Sequence, residues 1–263
     1  MNLVKITIIM FVLTLLCSNL SAIDEKGLKV GFSYSTLTGS EMINAEFRSN
    51  FSAGIFVNKR LNKWLILQPE LLYSSKGAIY DGKEKLYVDE DMDGYFDEDP
   101  YDQIDNDGDG LIDEDRPDSG FNVSGYYKLY YLEIPILLKM TTEHFISNNL
   151  NIILGPSFNI LLDDKNKLKQ AGNEYLSGHL SELNIFDLSA IFGLEYSINK
   201  FKFELRVNQG LIQNKFKSVS EVFMEDYPDL FISFFGEDYQ EYVKCSENYG
   251  YNTLFSVFLS VSF

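Results

Sequence analysis

The sequence predicts an all-β fold, an eight-stranded antiparallel transmembrane β-barrel with short periplasmic turns and long extracellular loops. Three observations predict it. Outside one acidic stretch, apolar and polar residues alternate with a period of two in eight separate segments, as in strands with one apolar and one polar face. Most of these segments run about nine to thirteen residues, near the length a tilted strand needs to cross a bilayer. Connectors alternate between short and long, the asymmetry of barrels whose turns face one compartment and whose loops face the other.

The chain opens with MNLVKITIIMFVLTLLCSNLSA, which carries one lysine, an apolar run from Ile6 to Leu16 and small polar residues ending at Ala22. Residues 1–22 read as a secretory signal peptide cleaved after Ala22, with an apolar run too short to span a bilayer. Leu16 stands before Cys17 where a lipoprotein carries a small residue, which argues against lipidation. Removal of the signal leaves Cys245 as the sole cysteine, so the mature chain, residues 23–263, has no internal disulfide.

The first segment places Leu28, Val30, Phe32 and Tyr34 on one face, and Lys29, Gly31, Ser33 and Ser35 on the other. The second opposes Phe51, Ala53, Ile55 and Val57 to Ser52, Gly54 and Asn58; the third opposes Leu65, Leu67, Leu71 and Tyr73 to Gln68, Glu70, Ser74 and Lys76. In the fourth, Tyr130, Leu132, Ile134, Ile136 and Leu138 face away from Tyr131, Glu133, Leu137 and Lys139. LNIILGPSFNI and IFDLSAIFGLEY carry Asn151, Ser157, Asn159, Asp187, Ser189 and Glu195 on their polar faces. FKFELRVN alternates Phe201, Phe203, Leu205 and Val207 with Lys202, Glu204, Arg206 and Asn208. The last segment sets Tyr251, Phe255, Val257, Leu259, Val261 and Phe263 against Asn252, Ser256, Ser260 and Ser262. Short joints are expected at 59–63, 141–149 and 199–200, and long loops at 37–50, 77–125, 161–184 and 213–250.

A secreted β-sandwich with one buried face would show the same period. Strand length, the even count and the aromatic ends favour the barrel. Tyr73, Tyr126, Tyr127, Tyr130, Tyr196, Tyr251 and Phe263 lie near strand ends, as interfacial girdles require. Glu70, Glu133, Glu204 and Arg206 then face inward. An eight-stranded barrel is filled by side chains, so these charges are expected to form a paired lumen network; the competing reading is a proton or substrate site. The strand count also argues against an open pore, because aqueous channels need about sixteen strands.

The formal charge is −17, but between Asp89 and Asp118 there are fifteen acids and one base, Arg116, which accounts for −14 of it. The acidity is therefore local. It implies a cation site and not a generally anionic surface, and no basic patch supports nucleic-acid binding. Residues 88–118 hold one motif twice, Asp89–Asp99 and Asp105–Asp115, sixteen residues apart, each following D-x-D-x-D-G-x-x-D-E-D. Five aspartates at shared positions repel one another unless cations lie between them, and the glycine at position six permits the turn that makes ligands converge. This predicts calcium. Expected side-chain ligands are Asp89, Asp91, Asp93 and Asp97 in the first copy, and Asp105, Asp107, Asp109 and Asp113 in the second. Tyr95 and Leu111 occupy the backbone-carbonyl position. Asp99, Asp102 and Asp115 are candidates to complete either shell. The twelfth position of an EF-hand carries Glu, and here it is Pro100 or Arg116, so the repeats are more similar to thrombospondin type 3 or dockerin-type loops. The competing account is a solvated acidic loop.

KVGFSYSTLTG, GIFVNKRLNKWLILQPELLYSSKGA, YYLEIPILLKM, IILGPSFNILL and FELRVNQGLI together resemble successive segments of the PorT-like outer-membrane β-barrel proteins of Bacteroidetes. YLEIPILLK and LQPELLYSSKGA are the specific parts. The resemblance covers residues 27–263 apart from the acidic insert and the fourth long loop. It implies a barrel surrounded by outer-membrane lipid and inserted by the outer-membrane assembly machinery. It implies little about activity, since a role in type IX secretion belongs to only some members.

His144 falls in an expected periplasmic turn and His179 in an outer loop, and no nucleophile motif accompanies either. The expected function is therefore non-enzymatic: a barrel presenting a calcium-stabilised second loop, with the aromatic-rich fourth, to an envelope or extracellular protein. The alternatives are a narrow solute channel or transporter, and an outer-membrane enzyme of the omptin or acyl-transfer kind.

Overall fold

The computed structural model describes residues 23–38, 45–84, 86–88, 103–104, 121–142, 149–170, 173–178, 183–216, 232, 243–245 and 248–263. Their elements are strands: β1 (Glu25–Thr38), β2 (Ala45–Arg60), β3 (Leu65–Glu84), β4 (Leu86–Val88), β5 (Phe121–Thr141), β6 (Leu150–Gln170), β7 (Asn173–Gly178), β8 (Phe186–Ile198), β9 (Phe201–Gly210), β10 (Asn214–Phe216), β11 (Val243–Cys245) and β12 (Asn248–Ser262). Eight of them, β1, β2, β3, β5, β6, β8, β9 and β12, pair antiparallel in that order. A ladder from Gly27↔Ser262 to Thr38↔Tyr251 joins β1 to β12 and closes the sheet. Closure removes both edges, so every wall strand has a neighbour on each side.

Alternation sorts the side chains as expected. Leu28, Val30, Phe32, Phe192, Leu205, Val207, Phe255 and Val257 are exposed on the outer face, while Lys29, Glu70, Glu204, Arg206 and Asn208 are buried in the lumen. A soluble domain would bury the first set. Here the apolar band faces outward, and burial of polar groups is compensated by contacts across the lumen.

Six of the eight wall strands exceed the expected nine to thirteen residues: β1 has 14, β12 15 and β2 16, and three are far longer. β3 has 20 residues and β5 and β6 have 21 each, about twice what a bilayer crossing needs. The stretches predicted as the beginnings and ends of the second and third long loops are therefore strand: β3 and β5 stay paired out to Glu84↔Phe121, and β6 carries β7 along its far half. Sequence periodicity missed these extensions because their outward positions, Asp81 and Lys165 among them, are polar and exposed. Beyond the bilayer a strand needs no apolar face, while its backbone hydrogen bonds continue.

The ladder also kinks. Between β2 and β3 the register slips after Phe47↔Ala78 to Ser52↔Ser74, and between β5 and β6 it slips at Tyr130 and Tyr131. Nearby, Gly77 takes φ +127°, and a Cβ there would stand 2.0 Å from the Tyr127 carbonyl oxygen. Only glycine fits that backbone. The rotated peptide lets the Gly77 carbonyl accept a hydrogen bond from the buried Ser35 hydroxyl at 2.6 Å.

Candidate functional site

From the short-turn end outward, the lumen contains three kinds of packing. The first is an ion-pair network. β1 contributes Glu25 and Lys29, β3 Glu70, β5 Lys139, β8 Glu195, and β9 Lys202, Glu204 and Arg206, each projecting inward because alternate residues of a strand share a face. The Lys29 ammonium donates to Glu70 Oε1 at 2.6 Å and to Glu204 Oε1 at 2.5 Å. The Arg206 guanidinium donates to both oxygens of Glu70, at 2.6 and 2.8 Å, and through Nε to Glu204 Oε2 at 2.7 Å. Lys139 pairs with Glu195, and Lys202 with Glu25. Four cations thus meet four carboxylates.

Aromatic rings fill the space between these charges. The Phe56 ring has the ammonium groups of Lys29, Lys202 and Lys139 at 5.4, 5.0 and 6.0 Å from its centre. Phe258 is faced by Lys29 at 5.5 Å and by Arg206 at 4.9 Å. Their negative π-faces supplement the carboxylates in solvating buried cations. Gly31 makes room for this arrangement, since a Cβ there would overlap the Phe258 ring at 2.4 Å.

The second layer holds Ser33, Ser74, Lys76, Glu133, Asn159, Asp187 and Asn252, all buried. Lys76 Nζ lies 2.6 Å from Glu133 Oε1, off the hydrogen-bonding direction, and 4.9 Å from the centre of the Tyr131 ring. Asn159 donates to Ser189 Oγ at 3.0 Å and to Asp187 Oδ2 at 3.5 Å. The third layer is apolar. Leu37, Ala78, Tyr80, Tyr127, Leu129, Tyr131 and Leu161 pack into one cluster that caps the lumen toward the long loops.

The inward placement of Glu70, Glu133, Glu204 and Arg206 agrees with expectation, and the first, third and fourth of these share one network with Lys29. Tyr127 departs from it. Expected in the outer girdle, it is buried in the apolar cap because it shares the inward parity of Leu129 and Tyr131. Tyr73, Tyr126 and Tyr196 are exposed on the outer wall, and Tyr73 stacks on Tyr130 with ring centres 6.1 Å apart. Sequence reasoning placed Lys29, Lys76, Lys139 and Lys202 on the polar faces without assigning them partners. Their common parity with the glutamates was the available signal.

At the outer rim, β4 pairs with β11 through Leu86↔Cys245, Tyr87↔Lys244 and Val88↔Val243. The base of the second loop is thereby joined to the fourth, and Asp89 follows β4 directly. The calcium ligands expected from sequence, Asp89, Asp91, Asp93, Tyr95, Asp97, Asp105, Asp107, Asp109, Leu111 and Asp113, lie outside the described residues, as do His144, His179 and the signal segment. A groove of about 610 Å³ at the short-turn rim lies among Trp64, Leu65, Met140 and Ile152. Asn62, Lys63, Thr141 and Thr142 complete its lining.

A family model described as outer membrane protein beta-barrel domain matches residues 25–215, well over half of the chain. Among solved structures, Neisserial surface protein A is similar at 10% identity and a TM-score of 0.41, covering 90% of this chain and 97% of its own. Ail, the attachment invasion locus protein of Yersinia pestis, solved in complex with the heparin analogue sucrose octasulfate, is similar at 10% identity and a TM-score of 0.39, covering 91% and 98%. No curated protein matches the chain. With the closed eight-stranded wall, the outward apolar band and the match over residues 25–215 in hand, the chain belongs to the outer membrane protein β-barrel domain family.

Proposed function

We propose that this barrel is a non-enzymatic, non-conducting scaffold whose calcium-stabilised second loop, together with the fourth, forms a binding surface for an extracellular or envelope protein. The observation that carries the reading is the β4–β11 pairing, which joins the two loops at their bases. A lumen occupied by ion pairs and capped by an apolar cluster supports the non-conducting half. The tandem motif supports the calcium half: Asp89, Asp91, Asp93, Asp97 and the Tyr95 carbonyl hold one ion, and Asp105, Asp107, Asp109, Asp113 and the Leu111 carbonyl a second. In this reading the signal peptide of residues 1–22 directs export, and the assembly machinery inserts the barrel. The PorT-like segments suggest a Bacteroidetes envelope complex as the setting, and the thrombospondin type 3-like repeats suggest a loop that becomes rigid on filling.

Terbium luminescence and calorimetry on the refolded barrel, with and without residues 89–115, test the calcium site. Saturable binding at about 10⁻⁴ to 10⁻³ M, lost on deletion, is the expected result. No signal at millimolar calcium, or an equal signal after deletion, overturns it. In a planar bilayer the barrel is expected to give no steady conductance, and ohmic steps would overturn the packed-lumen reading.

A further inference from the structure

Above the lipid-facing band, the outer wall changes character on one side of the barrel. Along β5 the outward run from Met140 to Tyr130 is as long as a tilted crossing needs, about 9–11 residues, and Tyr73 stacks on Tyr130 at its end. Interfacial aromatics mark the headgroup level, so the next outward residues of β3, β5 and β6 stand among the outer-leaflet headgroups. Three rungs occupy that height. The first aligns Ser75, Tyr130 and Asp163, the second Gly77, Lys128 and Lys165, and the third Ile79, Tyr126 and Lys167.

The middle rung sets two ammonium groups side by side. Lys128 and Lys165 are direct cross-strand partners, an arrangement that repulsion disfavours, and both lie over the Tyr130 ring, at 4.9 and 5.9 Å from its centre. Gly77, the third member, has no side chain, so the rung is open beside them. Lys167 stands opposite Tyr126 in the rung above, and Arg48 reaches the same ring from the β2 bulge at 5.9 Å while donating to Asn50. Asp163 below and Glu46, opposite Ile79, bring two carboxylates to these four cations. Positive charge is therefore in excess. One rung further out, Asp81 and Glu174 share the row of Lys169, which confines the positive band to the headgroup level. The far side of the barrel differs: at the outer ends of β8, β9 and β1 the outward side chains are Phe186, Leu188, Val207, Gln209 and Tyr34, with no cation among the described residues.

We propose that Lys128 and Lys165, flanked by Arg48 and Lys167, form a site for the phosphate group of an anionic outer-leaflet lipid. A phosphate bridging the two ammonium groups turns their repulsion into attraction, and lysine meets phosphate as a point charge on a flexible stem. Tyr73 and Tyr130 lie beneath, level with the lipid's polar backbone, and its acyl chains run down the apolar wall past Ile136 and Phe158. Depth selects the lipid over a free anion. Soluble phosphate gains only the charges, whereas the lipid also gains the wall. The site makes no use of the acidic second loop.

The test measures lipid binding to the whole barrel, refolded in non-ionic detergent with EDTA, by native mass spectrometry. The probes are diphosphoryl lipid A, its dephosphorylated form and inorganic phosphate. Diphosphoryl lipid A is expected to bind, and Lys128→Gln combined with Lys165→Gln to weaken it roughly 30-fold. Lys26→Gln combined with Lys200→Gln, at the short-turn end, should leave it unchanged. Without lipid the first pair should leave the midpoint of heat-modifiable migration equal or higher, because it removes a repulsion, and should lower it only when lipid A is present. Equal binding of the dephosphorylated form overturns the site, as does undiminished binding by the Lys128 and Lys165 variant. A midpoint lowered equally with and without lipid A would mean a purely structural pair and also overturns it. Displacement by inorganic phosphate at the lipid's own concentration would mean a free-anion site and overturns the lipid assignment. Should the double variant fail to fold, Arg48→Gln and Lys167→Gln decide: each is expected to weaken lipid A about fivefold, and unchanged affinity in both overturns the site.

Discussion

Lys29 and Val30 are neighbours in β1, yet they face opposite worlds. Lys29 is 1% exposed and bound to two glutamates, whereas Val30 is 45% exposed on the apolar band. Each face of the wall is stable only with its own chemistry. On the lumen face stability depends on pairing, because a buried charge must find its opposite. On the apolar band of the outer face it depends on having no charge at all.

The sharpest way to break that contrast is to remove one lumen partner. Glu70→Ala leaves Lys29 and Arg206 short of an acid, and a loss of about 3–5 kcal/mol is expected, read as a lower urea midpoint for refolded barrel. Glu70→Gln, which keeps the shape, should lose comparably if charge pairing is the cause and much less if packing is. Next comes the reverse error, a charge on the lipid face. Val30→Arg is expected to cost about 2–4 kcal/mol near the bilayer midplane. The same substitution in a water-soluble domain at an exposed position would be nearly neutral, so lipid-bilayer refolding is the measurement that counts.

Gly77→Ala probes the backbone between the two faces. With φ at +127° and the Tyr127 carbonyl 2.0 Å from the new Cβ, a loss of about 1–3 kcal/mol is expected. Little or no loss would mean that the Ser35 hydrogen bond does not depend on the rotated peptide. The smallest effect belongs to the water-exposed rim, where Lys59 and Asp24 lie 3.9 Å apart with both side chains about half exposed. Lys59→Ala should cost less than about 1 kcal/mol and less still at high salt, in contrast with Lys29.

Much of this wall was legible in the sequence because parity is a local property. Phe201, Phe203 and Leu205 against Lys202, Glu204 and Arg206 specify both faces of β9 without reference to any other strand. Parity does not say which charge meets which. Lys29 and Glu204 are 175 positions apart, and their contact follows from the closing ladder between β1 and β12 and from β9 lying beside β12. The β4–β11 pairing was hidden for the same reason, since three-residue strands carry too little pattern to be recognised. Tyr127 was misplaced because an aromatic near a strand end suits both a lipid interface and a lumen cap, and only its register decides. The acidic repeats are the converse case: D-x-D-x-D-G carries a chemical expectation in sequence alone, and its residues lie outside the described ones.

The seam between β1 and β12 also bears on how the chain can be connected. Phe263 N–H donates to the Lys26 carbonyl at 2.9 Å, and Asp24 N–H to the Asn58 carbonyl at 3.0 Å, so both ends of the described wall lie on the short-turn side. A linker of a few residues could join them, and the chain could be reopened at Asn199–Lys200. Such a circular permutant retains every rung of the wall while moving the closing seam: β1 with β12 becomes a local hairpin, and β8 with β9 becomes the longest-range pairing. A difference between its folding rate and that of the original chain would therefore report whether the barrier depends on which pair of strands closes the barrel.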